Sequence, residues 1–253
     1  MKNPRYIIIT GASSGIGAEL ARQYAAPDIT LGLLGRDGLR LQEVAKECTV
    51  KGAIVDIALI DVTDEVSLNF WIGGFQRIDL VIANAGVSGG TAEGSDDNAV
   101  REIFSINVWG CLNTILAAIN KMKQQPAIQG SKGQIAVMSS VAGLRGLPSA
   151  PAYSASKACM AAYGDALRGS LKKDHIDVSV IMPGYVRTPL TDKNNFFMPF
   201  IISVEKAAAK IKHGLSKNKK RIFFPFILYG LVRVLAALPY KITDPLFNIL
   251  PKK

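Results

Sequence analysis

Apolar residues fall along this chain in two alternating rhythms. Short continuous runs, RYIIIT (5–10), ITLGLL (29–34), IALID (57–61), DLVIA (79–83), QIAVMS (134–139), DVSVIM (177–182) and RIFF (221–224), read as strands buried on both faces. Between them apolar positions recur every three or four residues. That spacing predicts helices over 15–26, 37–48, around 64–76, near 99–123, near 152–173 and over 204–215. In the second of these Leu39, Leu41, Val44 and Ala45 are the expected inner stripe. Strands this apolar, separated by helices, predict an α/β chain: one doubly wound parallel sheet with helices on both faces and right-handed crossovers. No internal repeat and no Pro-, Gly- or Ser-rich linker divides residues 1–253, so a single domain is expected.

Composition adds little to this picture, but the placement of charge adds a good deal. Half the residues are hydrophobic (49%), ample for a large core. The N-terminal MKNPRYIIIT has too short an apolar run for a signal-peptide core and serves better as the first strand. Cys48, Cys111 and Cys159 are far apart and without a CxxC, so buried reduced thiols and a cytoplasmic protein are expected, with no metal site. The net charge is +10. Residues 1–204 hold 19 basic against 18 acidic side chains, whereas residues 205–253 hold 11 against 2. The basicity belongs to the C-terminal end.

Two stretches carry candidate chemistry. TGASSGIG (10–17) lies between the first strand and the first helix. Gly11, Gly15 and Gly17 there permit positive φ and close backbone approach, and Ser13, Ser14 and Ile16 complete a turn whose N–H groups and helix dipole suit a pyrophosphate. PAYSASKACMAAYGDAL (151–167) sets Tyr153 and Lys157 four apart, so both project from one helix face. A buried ammonium is costly unless something requires it. A free phenol ionises near pH ~10, and a fixed positive charge beside it favours the phenolate, making Tyr153 usable as a proton exchanger near neutrality.

The glycine spacing of TGASSGIG, together with NAG (84–86) and YSASK (153–157), resembles the classical short-chain dehydrogenase/reductase family. Asp61 in DVTD, Asn107 in INVWG, Ser140 in VMSSVAG and PGYVRT (183–188) follow in family order, and the resemblance covers about residues 5–190. It implies a Rossmann fold and hydride transfer between a nicotinamide cofactor and an alcohol or carbonyl substrate. Tyr153 would be the general acid/base and Lys157 would tune it and hold the nicotinamide ribose. Ser140 would orient the substrate oxygen, and Asn107 would fix a water relaying protons from Lys157. The resemblance further implies cofactor contacts from Asp61 and Val62 (adenine), from Asn84, Ala85 and Gly86 (adenosine ribose), and from Pro183, Gly184, Val186 and Thr188 (nicotinamide). Relatives preferring NAD usually carry an acidic residue where Gly35 stands. Here Arg36 follows instead, which favours NADP through charge-assisted bonds to a 2′-phosphate, with NAD as the alternative. Asp37 is expected to cap the next helix. Family members assemble through their long helices, so a homodimer or homotetramer is expected.

Beyond the motifs, residues 188–204, with Phe196, Phe197, Met198, Phe200 and Ile201, read as an apolar substrate lid. Residues 222–253 form an apolar and basic C-terminal extension. Its run from Ile222 to Leu238 is too short and too broken by Pro225, Gly230 and Arg233 to span a membrane. Two readings of it stay open: a packed lid or subunit contact, and a peripheral segment resting on anionic lipid. KNKKR is one short basic run, so nucleic acid is not an expected partner. The expected activity is that of an NADP(H)-dependent alcohol dehydrogenase or carbonyl reductase, and the rival is a catalytically silent NADP-binding scaffold at a membrane.

Overall fold

In the computed structural model, which describes residues 3–88, 96–192, 197–239, 241–243 and 245, the apolar runs pair into one seven-stranded, wholly parallel sheet. The strands are β1 (Tyr6–Thr10), β2 (Thr30–Leu34), β3 (Ile54–Ala58), β4 (Leu80–Ala83), β5 (Gly133–Met138), β6 (Ile176–Pro183) and β7 (Arg221–Phe224), in the order β3-β2-β1-β4-β5-β6-β7. The helices are α1 (Gly15–Tyr24), α2 (Gly38–Val50), α3 (Glu65–Gly74), α4 (Asp97–Phe104), α5 (Cys111–Gln124), α6 (Pro151–Ser170), α7 (Val204–Ser216) and α8 (Phe226–Ala237).

Strand periodicity sorts the core into two layers. Ile7 and Ile9 of β1 join Leu31, Leu33 and Ile82 under α1, α2 and α7. Ile8, one residue out of phase, joins Val81, Ile135 and Val137 under α3, α5 and α6. The chain winds outward from β1 to β3, then returns to place β4 on the other side of β1. At that reversal the connections leave β1 and β4 in opposite directions, opening a crevice at the strands' C-terminal ends, where ligands bind in sheets of this kind.

Three expectations need correcting. The third strand occupies Ile54–Ala58 rather than 57–61, in register with β2 from Thr30↔Ile54 to Leu34↔Ala58. It is an edge strand with only Ala58 buried, so the hydrogen-bond ladder and not apolarity fixes its position. Leu39 is 79% exposed; Leu41, Val44 and Cys48 form the buried stripe of α2, and Leu39 lies about 200° around the helix from Leu41. Cys159 is exposed, while Cys48 and Cys111 are buried. The predicted helix near 99–123 is real but interrupted. Between α4 and α5, residues Ser105–Gly110 form a π turn, a local widening found frequently at functional sites. The stretch 97–124 is long and apolar enough to cross a membrane, yet most of it is buried against the sheet.

Candidate active site

The crevice between β1 and β4 is a cleft of about 380 Å³. Its floor at one end is the turn after β1, where Gly11 and Gly15 adopt φ +66° and +55°. Those angles are disfavoured for residues with a Cβ. A Cβ on Gly11 would also stand 2.9 Å from the Ala85 backbone. Asn84 locks the two loops together: its Nδ2 donates to the carbonyls of Thr10 (2.9 Å) and Gly11 (3.2 Å), while Thr10 Oγ1 accepts from the N–H groups of Asn84 and Ala85. Ser14 is the N-cap of α1, yet its side chain makes no capping bond. The first N–H groups of that helix and the hydroxyls of Ser13 and Ser14 are therefore available at the cleft, beside Ile16. Gly17 does not line it. A Cβ there would meet the Gly11 oxygen at 2.3 Å, so this glycine seats α1 against the turn.

At the adenine end, Arg36 and Asp61 face each other across the cleft edge, Nη1 donating to Oδ2 at 3.3 Å. Burial pushes the Asp61 carboxyl up, but hydrogen bonds from Thr63 and the Arg36 charge outweigh it and hold the group below the usual carboxylate value. Asp37 caps α2 by accepting from Arg40 N, and Asp64 caps α3, which leaves Asp61 free of capping duty. Val62, Ala85 and Gly86 complete this wall.

The other end is built by α6, whose small residues let it approach the sheet closely. A Cβ on Gly164 would stand 2.6 Å from Val180, and one on Gly143, in the short turn after Ser140, would stand 2.7 Å from the Lys157 backbone. Tyr153 and Lys157 project from α6 into the cleft, and Ser140 meets them from the end of β5. Ser140 shares a hydrogen bond with Tyr153, donates to the Pro183 carbonyl at 3.3 Å and accepts from Ala142 N. The Lys157 ammonium lies 5.7 Å from the Tyr153 ring centre and donates to the Met138 carbonyl at 3.3 Å. Burial lowers the Lys157 pKa to about 8. Burial raises that of Tyr153, against the Ser140 hydrogen bond, and the Tyr185 phenol raises it further. The expected lowering of the phenol by its lysine is thus not achieved by the protein's own groups: desolvation wins at this separation.

Asn107 sits behind the wall in the π turn. Its Oδ1 accepts from Val87 N (2.8 Å), and its Nδ2 donates to Val87 O (2.9 Å) and Ser156 Oγ (3.1 Å). Both amide hydrogens are spent, so the side chain clamps the loop after β4 onto α6. A Cβ on Gly86 would stand 3.0 Å from Asn107 Oδ1 and 3.2 Å from Lys157 Nζ, so all three residues meet at one point. Above the nicotinamide end, Pro183, Gly184, Val186 and Thr188 line the cleft, and Thr191 holds their loop by donating to Val186 O (2.7 Å) and accepting from Thr188 N (3.0 Å).

Of the expected lid, Thr188, Pro189, Leu190 and Thr191 line the cleft. Phe197 (85%) and Phe200 (49%) are exposed instead, and Phe196 lies outside the described residues. Four wall residues had no site role in the sequence: Leu34 and Ile60 belong to strand runs, and Ile106 and Met138 stand inside the INVWG and VMSSVAG motifs beside Asn107 and Ser140.

A family model described as short chain dehydrogenase matches residues 5–197. An uncharacterized oxidoreductase of Myxococcus xanthus is 34% identical over 252 residues, 96% of this chain and 95% of that one. An 11-beta-hydroxysteroid dehydrogenase-like protein of Arabidopsis thaliana is 32% identical over 235 residues, 87% of this chain and 73% of its own. Among solved structures, a short-chain dehydrogenase from Sphingobium yanoikuyae in complex with NADPH superposes with a TM-score of 0.79 at 23% identity, covering 98% of this chain and 96% of that one. A short chain dehydrogenase/reductase from Burkholderia phymatum in complex with NAD gives 0.81 at 21%, covering 97% and 95%. At those identities the two structures share the fold.

Proposed function

The chain belongs to the short chain dehydrogenase family of oxidoreductases, and from that premise we propose that it interconverts a lipophilic carbonyl compound and its alcohol with NADP(H). The observation that carries this reading is the convergence of Ser140, Tyr153 and Lys157 on one end of a cleft whose other end is a glycine turn at a helix start.

The cleft's donors fit a dinucleotide along its length. The turn Gly11–Gly15, with Ser13, Ser14 and Ile16, would hold the pyrophosphate. Arg36 would hold a 2′-phosphate, Asp61 and Val62 the adenine, and Asn84, Ala85 and Gly86 the adenosine ribose. Lys157 would hold the nicotinamide ribose with Tyr153 beside it, and Pro183, Gly184, Val186 and Thr188 would stand at the ring. When bound, the cofactor supplies the hydride and, in its oxidised form, a positive charge near the phenol.

In reduction the Tyr153 hydroxyl gives its proton to the substrate oxygen, and in oxidation it takes one back. Ser140, already hydrogen-bonded to Tyr153, orients that oxygen and stabilises the charge developing on it. Lys157 favours the phenolate once the cationic ring adds to its own field, reversing the upward pull of burial. Asn107 holds Gly86 and Lys157 in register, and proton relay to solvent passes through a water in this corner.

Phe104 (36% exposed), Trp109 (64%) and Leu116 (47%) lie along the outer side of α4–α5 and support assembly into a homodimer or homotetramer. The free cysteines fit work in a reducing cytoplasm, with the C-terminal segment as a peripheral membrane contact.

Titrating NADPH and NADH into the protein, then screening ketones, aldehydes and alcohols by nicotinamide absorbance, tests the reading. Tighter NADPH binding and turnover of apolar ketones are expected. NADPH binding without turnover of any compound would leave a silent scaffold, and tighter NADH binding would overturn the cofactor assignment.

A further inference from the structure

Helix α8 is apolar on both its sides, and only one side is covered. Its inner side packs down: Leu228 is buried where a Cβ on Gly184 would stand 2.6 Å away, and Tyr229 stacks on Phe223 with ring centres 3.8 Å apart. Its outer side carries Phe226, Ile227, Leu231 and Val234, each more than half exposed, and Leu238 continues the stripe just past the helix end. A helix apolar all round has both sides covered in a soluble globule, and a contiguous exposed apolar patch marks a docking surface.

Charge identifies what covers it. From Phe226 to Thr243 the chain holds two ionised side chains, Arg233 and Lys241; both are exposed, both cationic, and no carboxylate accompanies them. Lys217, Lys219 and Lys220 lie just before β7, the strand that leads into α8. A second copy docked face to face about a two-fold axis would set Arg233 and Lys241 of both chains against each other, with no carboxylate among the described residues of α8 and the segment to Thr243 to offset them. An anionic lipid surface supplies the opposite charge. At twelve residues α8 is about 18 Å long, too short to cross a hydrocarbon core of about 30 Å, so it lies on the surface.

We propose that the outer face of α8 docks the protein on an anionic phospholipid bilayer and that docking turns the substrate end of the cleft toward the lipid. The inner side of α8 rests on Gly184, which lines the cleft, and the helix contacts the turn Val141–Gly143 that follows Ser140. Arg145 donates to Thr243 Oγ1 at 2.7 Å, tying the segment after α8 to the same loop. The substrate is then a lipophilic alcohol or carbonyl compound taken up from the membrane, a statement that rests on the proposed reductase reading, whereas the docking itself does not.

Co-sedimentation of the full chain with phosphatidylcholine vesicles, with and without phosphatidylserine and at low and high salt, tests the docking. The protein should bind the phosphatidylserine vesicles and release as salt rises. Leu231→Asp with Val234→Asp should weaken this binding about tenfold or more. Arg233→Glu with Lys241→Glu should remove its lipid and salt dependence. Both double variants should turn over a water-soluble ketone like wild type when no lipid is present. Absence of wild-type binding at low salt, or unchanged binding by Leu231→Asp with Val234→Asp, overturns the proposal. So does sedimentation equilibrium showing that this variant breaks an oligomer, since the face would then be a subunit contact. Phosphatidylserine vesicles should lower the KM for a long-chain ketone and leave that for a short one unchanged; equal effects overturn the uptake from lipid. Vesicle binding by a protein that reduces nothing would sink the reductase reading and leave the docking standing.

Discussion

Two arginine–aspartate pairs stand at opposite ends of the same sheet and do opposite work. Arg36 and Asp61, at the C-terminal edge, are 3.3 Å apart with side chains 58% and 36% exposed. Arg77 and Asp79, at the N-terminal edge, are 2.6 Å apart and 10% and 6% exposed. Asp79 also accepts from the N–H groups of Arg5 and Tyr6, and Arg77 donates to the Pro126 carbonyl, so the second pair knots the starts of β1 and β4 to the segment after α5. An exposed pair contributes about 0–1 kcal/mol and is cheap to part. A buried one costs several times that to break, because the survivor is left charged and dry. The edge that binds keeps its charges exchangeable, and the edge that holds the strands keeps its charges locked.

Substitutions at the two edges should therefore separate activity from stability. The largest effect is expected from Tyr153→Phe, which should lower turnover by about 10²–10⁴-fold with little change in melting temperature or cofactor affinity. Retention of more than about a tenth of the wild-type rate would show that Tyr153 is not the acid. At the other edge, Asp79→Ala should cost about 3–5 kcal/mol in urea denaturation while the folded fraction keeps its specific activity. A small loss there would break the contrast.

Lys157 crosses the divide. Burial sets its pKa at about 8 against the ordinary lysine value of 10.5, so between those values the unfolded chain binds the proton that the folded one has released. Stability then rises with pH through that window, and below it the charged, buried ammonium carries the full cost, about 3 kcal/mol. Lys157→Met should make the protein more stable at pH 7 and inactive. The stability difference from wild type should shrink as pH climbs from 8 to 10.5, and a constant difference would refute the assignment. The smallest effect on stability is expected from Arg36→Gln, under about 1 kcal/mol. The same change should weaken NADPH about tenfold and leave NADH unchanged, as titration of both would show.

The sheet was legible because six of its seven strands lie where their apolar runs lie, and a strand covered on both faces must be apolar throughout. Of the two edge strands, β7 kept its apolar run, whereas β3 escaped because most of it faces water, and its place follows from the ladder to β2. Tyr153 and Lys157 were legible because helix geometry alone puts residues four apart on one face. The meeting of Arg36 with Asp61, twenty-five residues on, was not, since it follows from how two loops leave neighbouring strands. The direction of the Tyr153 shift was hidden for a related reason. It depends on the balance of burial against a 5.7 Å separation, and spacing along a helix carries no depth.

Leu228 is the one buried residue of α8, whereas α6 buries six. Segments with so few buried contacts open by themselves, at free energies far below global unfolding, and trade their amide hydrogens with solvent through those openings. The backbone of α8 should accordingly exchange orders of magnitude faster than that of α6 or β5, as a separate cooperative unit. A bilayer covering its outer face would slow that exchange over residues 226–238 and leave the rest of the sheet unchanged, so deuterium uptake reads the docked state one peptide at a time.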